Sequence, residues 1–556
     1  MTTTPPASPA APVFSDEQWK RLRGFGTPQV VSPGTWLFRA GEATCDMILV
    51  ENGAIDILAA GSTDNPETVV AHYGSRQFSG ELNLLTGQAT YFEARAATAA
   101  TIYRISPTDF RRLMASEPDL SDLILRALVA RRQRLCASRV IRGVQLVAGT
   151  PSSRGLALRT YLDRQQLPYT VTKYDSEIGK RVARGGDLHV EDLPAVLVAD
   201  TVIRQATPAR VADVLGLGYR PVSGQTLDVV VIGGGPAGLA AAVYGASEGL
   251  QTLLIDAVAA GGQAAASSRI ENYLGFTSGL SGADLTGRAV IQAHKFGAQI
   301  ASPVRAAGVD TTPGHLRVLL DDATAIDTRA IVVATGAHYR RLPLARWSDF
   351  EGTGVYYAAT ELEARRCGAD PVAVVGGANS AGQAALFLAR RGHAVNMVVR
   401  GDSLTDRMSA YLADRIVTHP GIAVHTRTEI TALNGDDQLR RITTTTTTGD
   451  GRTTETDWPC CGLFCFAGAV PATDWLTGVA VDEHGFVLTD AMLADCALGD
   501  EWSELNRRPL PFETNKPGIL AAGDVRAGSM KRVAAAVGEG ASAMSSVHTV
   551  LAQLHR

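Results

Sequence analysis

Residues 227–257, LDVVVIGGGPAGLAAAVYGASEGLQTLLIDA, limit what this chain can fold into more than any other stretch. A β-branched run enters Gly233, Gly235, Pro236, Ala237 and Gly238, an alanine-rich helix follows, and a second apolar strand ends at Asp256. In such a turn one glycine makes the tight bend, one lets the backbone approach a pyrophosphate, and one packs helix on strand. The helix N-terminus then offers unpaired N–H groups to phosphate, and Asp256 can accept a ribose hydroxyl. A parallel Rossmann-like α/β sheet carrying a dinucleotide is the expectation.

A second unit of this kind starts 376 − 233 = 143 residues later, in PVAVVGGANSAGQAALFLARRGHAVNMVVRG. Its turn, Gly376, Gly377, Ala378, Asn379, Ser380 and Ala381, is a looser version of the same fingerprint. The second strand ends at Arg400 where the first ended on an acid. An arginine there suits the 2′-phosphate of NADP, and Arg407 is a candidate second phosphate ligand. Two nucleotide folds joined this way imply FAD together with NADPH.

Composition narrows the alternatives. With 556 residues the chain has room for about three to four domains. A net charge of −4 and a pI near 6.3 leave no basic surplus for nucleic acid or an anionic membrane surface. No apolar run reaches the ~18 residues of a membrane span. The lead MTTTPPASPAAPVFSDEQW lacks the basic and apolar regions of a secretory signal; residues 1–12 are expected to be disordered and the protein cytoplasmic. The seven cysteines form no CxxC pair, which argues against a zinc site or a disulfide framework.

From about residue 225 to 556 the chain resembles the low-molecular-weight thioredoxin reductases. The likeness rests on GGQ (261–263), IENYLGF (270–276), ATG (334–336) and AAGDV (521–525), the last leading into KRVAAAVGEGASA (531–543). It implies an NADPH domain (342–466) inserted into a split FAD domain (222–341 and 467–556), in a homodimer. By the same resemblance Gly262, Gln263 and Asn272 lie toward the flavin ring and Val304 meets the adenine through its backbone. Ala334, Thr335 and Gly336 complete the cradle, and Gly523 and Asp524 hold the ribityl chain. A helix from Arg532 and Val533 points its positive end at the reduced flavin.

The pattern breaks where the family carries its two redox cysteines. Those places hold Ala358 and Glu361. Cys367, Cys460, Cys461 and Cys465 read as packing residues among apolar neighbours. The expected enzyme therefore passes electrons from the flavin to a small-molecule or electron-carrier acceptor that reaches the ring itself. Tyr357 and Glu361 are the candidates to line the vacated space, with no other catalytic residue identified. Two further readings are a disulfide reductase using another cysteine or a substrate disulfide, and a flavin or ligand sensor without turnover.

Residues 13–140 resemble a β-roll cyclic-nucleotide-binding domain, with FSGELNLLTGQATYFEARA as its phosphate cassette and Glu81 in the ribose-binding place. Thr90 stands where the phosphate-pairing arginine belongs, so a cyclic nucleotide is doubtful and a structural or dimerising role is favoured. Residues 141–221 resemble a small thioredoxin- or glutaredoxin-like fold with Leu193-Pro194 as its cis-proline turn. Its CPxC motif would fall on Thr150-Pro151-Ser152-Ser153, again without sulfur. The run ITTTTTTGDGRTTETDW (442–458) reads as an exposed β-hairpin.

Overall fold

Four sheet systems follow one another along the chain. The computed structural model describes residues 10–554 apart from 41, 43–45, 60–67, 82, 87–89, 91, 138–143, 150–151, 199–200, 268–269, 271, 313–314, 352, 358, 360, 369 and 495–497. The first eight strands, from Thr27–Val31 to Ala100–Ile105, pair antiparallel in two four-stranded sheets that close as a roll. Helices Pro107–Ser116 and Pro118–Ala137 cover it. The apolar interior, with Met47, Phe78, Phe110 and Leu113, also takes in Ile291 from the Gly282–Lys295 helix much further along the chain. The unstructured lead expected over 1–12 is therefore too long. Ala10 is buried, because its carbonyl accepts from Arg131 Nε (2.9 Å); residues 1–9 lie outside the described residues.

The second system has strand order Tyr169–Lys173, Val144–Ala148, Ala195–Val198, Thr201–Ile203. Its first pair is parallel and the other two antiparallel. The βαβ-then-hairpin order is that of a thioredoxin-like sheet, and Leu193-Pro194 is cis. Of the stretch matched to CPxC, Thr150 and Pro151 lie outside the described residues. Ser152 caps the Ser153–Arg164 helix, its Oγ accepting from Gly155 N–H.

The third system is built from two distant parts of the chain. Gln299–Ala301, Thr252–Ile255, Thr226–Ile232 and Ala325–Val333 run parallel, and Ile519–Ala521 joins the edge of Ala325–Val333 from almost 200 residues away. Leu316–Leu320 and Ala306–Asp310 extend it antiparallel. Between the two parts lies the fourth system, five parallel strands ordered Val355–Tyr356, Gly462–Cys465, Val372–Val375, Val395–Val398, Ile422–His425. The chain leaves and returns through one antiparallel ribbon, Ala337–Tyr339 on Ala469–Pro471. The threonine run forms the hairpin Leu439–Thr447 on Thr453–Pro459, but it is not wholly exposed. It is the middle of three strands, so Thr443 and Thr444 are buried between Thr428–Gly435 and the returning strand.

Helices Pro236–Ser247 and Val533–Leu554 join the two halves of the third system by a close crossing. A Cβ on Gly540 would stand 2.0 Å from the Ala237 carbonyl oxygen, whereas one on Gly538 meets nothing within 4 Å. Gly540→Ala is expected to destabilise the flavin-loaded protein by about 1–3 kcal/mol through overpacking. Gly538→Ala is expected to be neutral or mildly stabilising; denaturant melts of the two variants check the contrast.

Candidate functional site

The cradle starts at the first glycine turn. Gly233 has φ +110°, and a Cβ there would strike the Ala334 carbonyl at 2.3 Å. Gly238 packs so closely that a Cβ would lie 1.8 Å from Gly233 O. Gly235 differs: nothing lies nearer than 3.9 Å to a Cβ built on it. Packing within the protein does not demand glycine at this position, so the open space in front of Gly235 fits a pyrophosphate. The helix behind it begins at Pro236 with no side-chain cap, and so does the Asn379–Arg390 helix behind Gly376. Six other helices are capped by Ser15, Ser106, Ser152, Ser176, Thr207 and Ser281. The two fingerprint helices thus keep their first N–H groups free for anions.

Asp256 is held in place by the turn itself. Gly234 N–H donates to its Oδ2 (2.7 Å) and Val258 N–H to its Oδ1 (2.8 Å). Each oxygen keeps a lone pair for a ribose hydroxyl. Val304 N–H donates to Asp256 O (2.8 Å), which fixes the 302–304 segment beside it. Gly262 has φ +55°, and Gln263 Nε2 donates to Ala337 O at the start of the crossover ribbon. Thr335 Oγ1 donates to Ala472 O (2.9 Å), and Ala472 N–H to Gly336 O (3.1 Å), so ATG is clamped to the returning strand; Ala334 is buried. Asn272 is exposed.

The C-terminal part closes the cradle. Gly523 (φ +79°) lies against Ala237, where a Cβ would come within 2.8 Å of the alanine methyl. Glu539 Oε2 accepts from Gly523 N–H (2.8 Å), and Arg526 Nη2 pairs with Glu539 Oε1 (2.9 Å). Burial pushes the Asp524 carboxyl up; Lys531 opposes this and Glu539 adds to it. Lys531 Nζ donates to Asp524 O (3.2 Å) and lies 3.9 Å from the Phe486 ring, and burial pulls its ammonium down. Exposed Arg532 immediately precedes the Val533–Leu554 helix and accepts from Ala536 N–H through its carbonyl (2.9 Å). Lys531 lies within the motif yet was missed as a site residue; a cation beside the one acidic group was the available signal.

At the second turn, Gly376 (φ +138°) would bring a Cβ to 2.6 Å from Phe466 O, and Gly377 to 3.2 Å from Val399. Asn379 Oδ1 accepts from Ser409 N–H (2.8 Å), tying the loop that carries Arg407 to the start of the helix. Ala378 and Ser380 are exposed and Ala381 is buried. Arg400 and Arg407 are exposed and form no ion pair among the described residues.

Of the segment lacking cysteines, Ala358 lies outside the described residues and Glu361 is the first residue of a helix, Glu361–Arg366. Tyr357 belongs to the core of the inserted unit. Its hydroxyl donates to Glu351 Oε1 (2.7 Å) and accepts from Trp347 Nε1 (2.9 Å), and burial pushes it up to about 12. The structure also brings together two cysteines read separately from the sequence. Cys461 Sγ lies 3.6 Å from Cys367 O, and contact with Cys461 together with burial pushes the Cys367 thiol well above its ordinary range. Burial pushes Cys460 up to about 12 and raises Cys465. The hydrogen bond with Cys367 pulls the Cys461 thiol below its ordinary range, against burial, whereas the three raised thiols stay protonated near neutral pH and are poor nucleophiles. Among the described residues no cluster suits a metal ion, and no helix is long and apolar enough to cross a membrane.

The comparisons with known proteins agree with this geometry. The pyridine nucleotide-disulphide oxidoreductase family matches residues 227–540, and the cyclic nucleotide-binding domain family matches residues 28–117. Thioredoxin reductase of Treponema pallidum is 34% identical over 318 residues, spanning 57% of this chain and 94% of that protein. The Streptomyces clavuligerus enzyme is 32% identical over 331 residues, 59% of this chain and 94% of its own. The crystal structure of Lactococcus lactis thioredoxin reductase matches with TM-score 0.51 at 27% identity, over 59% of this chain and 100% of that one. The chain belongs to the pyridine nucleotide-disulphide oxidoreductase family. Within it, the protein is a thioredoxin reductase-like oxidoreductase that uses FAD and NADPH, fused to an N-terminal cyclic nucleotide-binding domain.

Gly235→Val is expected to fold, since the space in front of Gly235 is open, yet to lose most of its flavin. Asp524→Ala should weaken retention of the flavin. Absorbance of the purified variants at equal protein concentration checks both, and wild-type flavin content in both would contradict the assignment.

Proposed function

We propose that this enzyme passes the electrons of NADPH, through FAD, to an acceptor that is not a protein disulfide. The observation that carries the reading is the replacement of both redox cysteines by Ala358 and Glu361, in a chain whose buried thiols Cys367, Cys460 and Cys465 are pushed up. When bound, the nicotinamide and the flavin supply hydride and electron transfer; the chain supplies binding, orientation and electrostatics. Asp256 would hold the adenosine ribose, the Gly235 turn the pyrophosphate, and Asp524 the ribityl chain. The Asn379–Arg390 helix would face the NADPH pyrophosphate, with Arg400 and Arg407 on the 2′-phosphate. The Val533–Leu554 helix and Lys531 set a positive potential next to Asp524. Tyr357, its hydroxyl already bonded twice, serves the inserted unit's packing, which leaves Glu361 as the candidate facing the acceptor.

The division into 13–140, 141–221, 222–341 with 467–556, and 342–466 is part of this reading, as are a homodimer and a cytoplasmic setting that keeps the cysteines reduced. One observation favours disulfide chemistry instead: Cys367 and Cys461 touch. The burial of Cys367 and the upward push on its thiol weigh against it.

Arg400 is exposed, so its contact with a 2′-phosphate is worth about 1.5 kcal/mol, the low end for a charged hydrogen bond. Arg400→Ala should narrow the NADPH-over-NADH preference about tenfold in kcat/KM, and an unchanged ratio would remove Arg400 from the site. Anaerobic titration separates the two chemistries. The native enzyme should bleach with about one NADPH per flavin, holding two electrons and not four, and it should not turn over thioredoxin. Uptake of four electrons, lost in Cys461→Ser, would instead establish the Cys367–Cys461 pair as a redox centre.

A further inference from the structure

The β-roll encloses a cavity of about 430 Å³, within the usual size for a small-molecule site. Its walls are mostly apolar, with Phe38, Ile57, Val70 and Phe92 from the strands and Leu135 from the Pro118–Ala137 helix. Neither group that would grip a ribose and cyclic phosphate is free to do so. Both carboxylate oxygens of Glu81 are taken by Arg132, and Thr90 Oγ1 donates to Arg39 O (2.7 Å).

The sign of the potential inside follows from which charges are already paired. The two acids on the wall, Asp46 and Glu81, face Arg104 (3.4 Å) and Arg132, neither of which lines the cavity. The cations on the wall are Arg131 and Arg134, with His72 hydrogen-bonded to Asp56 at the mouth (2.7 Å). Arg131 is only 7% exposed and forms no ion pair among the described residues. Its Nε donates to Ala10 O (2.9 Å) and its Nη1 to Gly80 O (2.9 Å), while the guanidinium carbon sits 4.2 Å from the Phe78 ring and 4.7 Å from that of Tyr73. Those contacts fix the guanidinium plane and leave Nη2 without a partner among the described residues. The acid nearest to Arg131, Glu81, is already bound through both oxygens by Arg132, and a buried cation without a partner of its own is costly unless an anion completes it. Tyr73, also on the wall, makes no hydrogen bond through its hydroxyl among the described residues.

We propose that this cavity binds a small organic carboxylate with an apolar body, its carboxylate on Arg131 and its hydrocarbon or ring against Phe38, Ile57 and Leu135. The anion lies on the helix at Arg131, and the apolar part runs from Leu135 on the same helix across to Phe38 and Ile57 on the strands.

The test uses full-length, flavin-loaded protein and calorimetric titration with octanoate and phenylacetate, their neutral amides octanamide and phenylacetamide, and cyclic AMP and GMP. At least one carboxylate should bind at one site per chain with Kd below about 1 mM, and its amide at least roughly tenfold more weakly. Arg131→Gln should cost about tenfold or more in carboxylate affinity. Ile57→Trp, which fills the cavity from the opposite wall, should abolish binding while flavin content stays that of the native protein. The carboxylate–amide comparison needs no variant and stands even if Arg131→Gln misfolds. The proposal is overturned if neither carboxylate binds, if amide and acid bind equally, or if Ile57→Trp binds as the native chain does. Tighter binding of a cyclic nucleotide than of either carboxylate would also overturn it.

Discussion

Everything that positions the flavin depends on the crossing of two helices at Ala237. Its carbonyl lies where a Cβ on Gly540 would be, and its methyl where one on Gly523 would be. Next in the chain, Gly238 meets the Gly233 carbonyl with the same closeness. Side chains at Gly523 and Gly540 would push the C-terminal part away from the Pro236–Ser247 helix, and one at Gly238 would break the first glycine turn. With hydrogen in their place, Ile519–Ala521 can pair with Ala325–Val333, and Asp524 comes beside the first glycine turn. The fold can then tolerate a long insertion, because the closing contact is made by backbone surfaces and does not depend on what lies between residues 339 and 469. The ribbon at those two residues and the Thr335–Ala472 bond are what tie the inserted unit to the cradle.

Much of this was legible before any coordinates. The glycine turns, the strands that enter them and the acid or arginine that ends each second strand are local patterns, and local patterns survive in sequence. Ala358 and Glu361 at the places of the family's cysteines are likewise read from sequence alone, inside a stretch otherwise matched. What stayed hidden depends on distant partners. Cys367 and Cys461 are 94 residues apart, and each alone looks like a small packing residue. Glu81 reads as a ribose ligand until Arg132, 51 residues on, is seen to occupy it. The threonine run looked fully exposed because alternation cannot show that a third strand, Thr428–Gly435, covers one edge. Lys531 was passed over because a lysine opening a helix usually faces solvent. Here Phe486, brought in from the preceding loops, covers it.

Losing the dithiol changes what the rest of the protein must do. In a cysteine relay the acceptor can stay at the surface, since sulfur carries the electrons outward. On the reading proposed above the acceptor has to reach the flavin, and selectivity passes to the walls around the ring. In the substituted stretch Tyr357 is anchored by Trp347 and Glu351, and Glu351 is itself paired with Arg341 (2.9 Å), so this side of the inserted unit is rigid.

The N-terminal cavity is joined to that chemistry by two neighbouring residues on one helix. Arg131 faces the cavity, and Arg132 leaves it, binding Glu81 and donating through Nη1 to Gln166 O (3.0 Å) of the thioredoxin-like unit. The next residue back, Gln165, donates to Ser302 Oγ (2.7 Å), two positions before Val304 at the adenosine end of the cradle. Ile291, packed into the roll's core, lies on the helix that lines the same junction. An anion on Arg131 would sit close to Glu81, and two negative charges in a poorly solvated wall repel. Arg132, bound to both Glu81 oxygens, offsets that repulsion. Between the cavity wall and the cradle the thioredoxin-like unit is thus the piece in the middle, bonded to the roll's helix at Gln166 and to the cradle at Gln165.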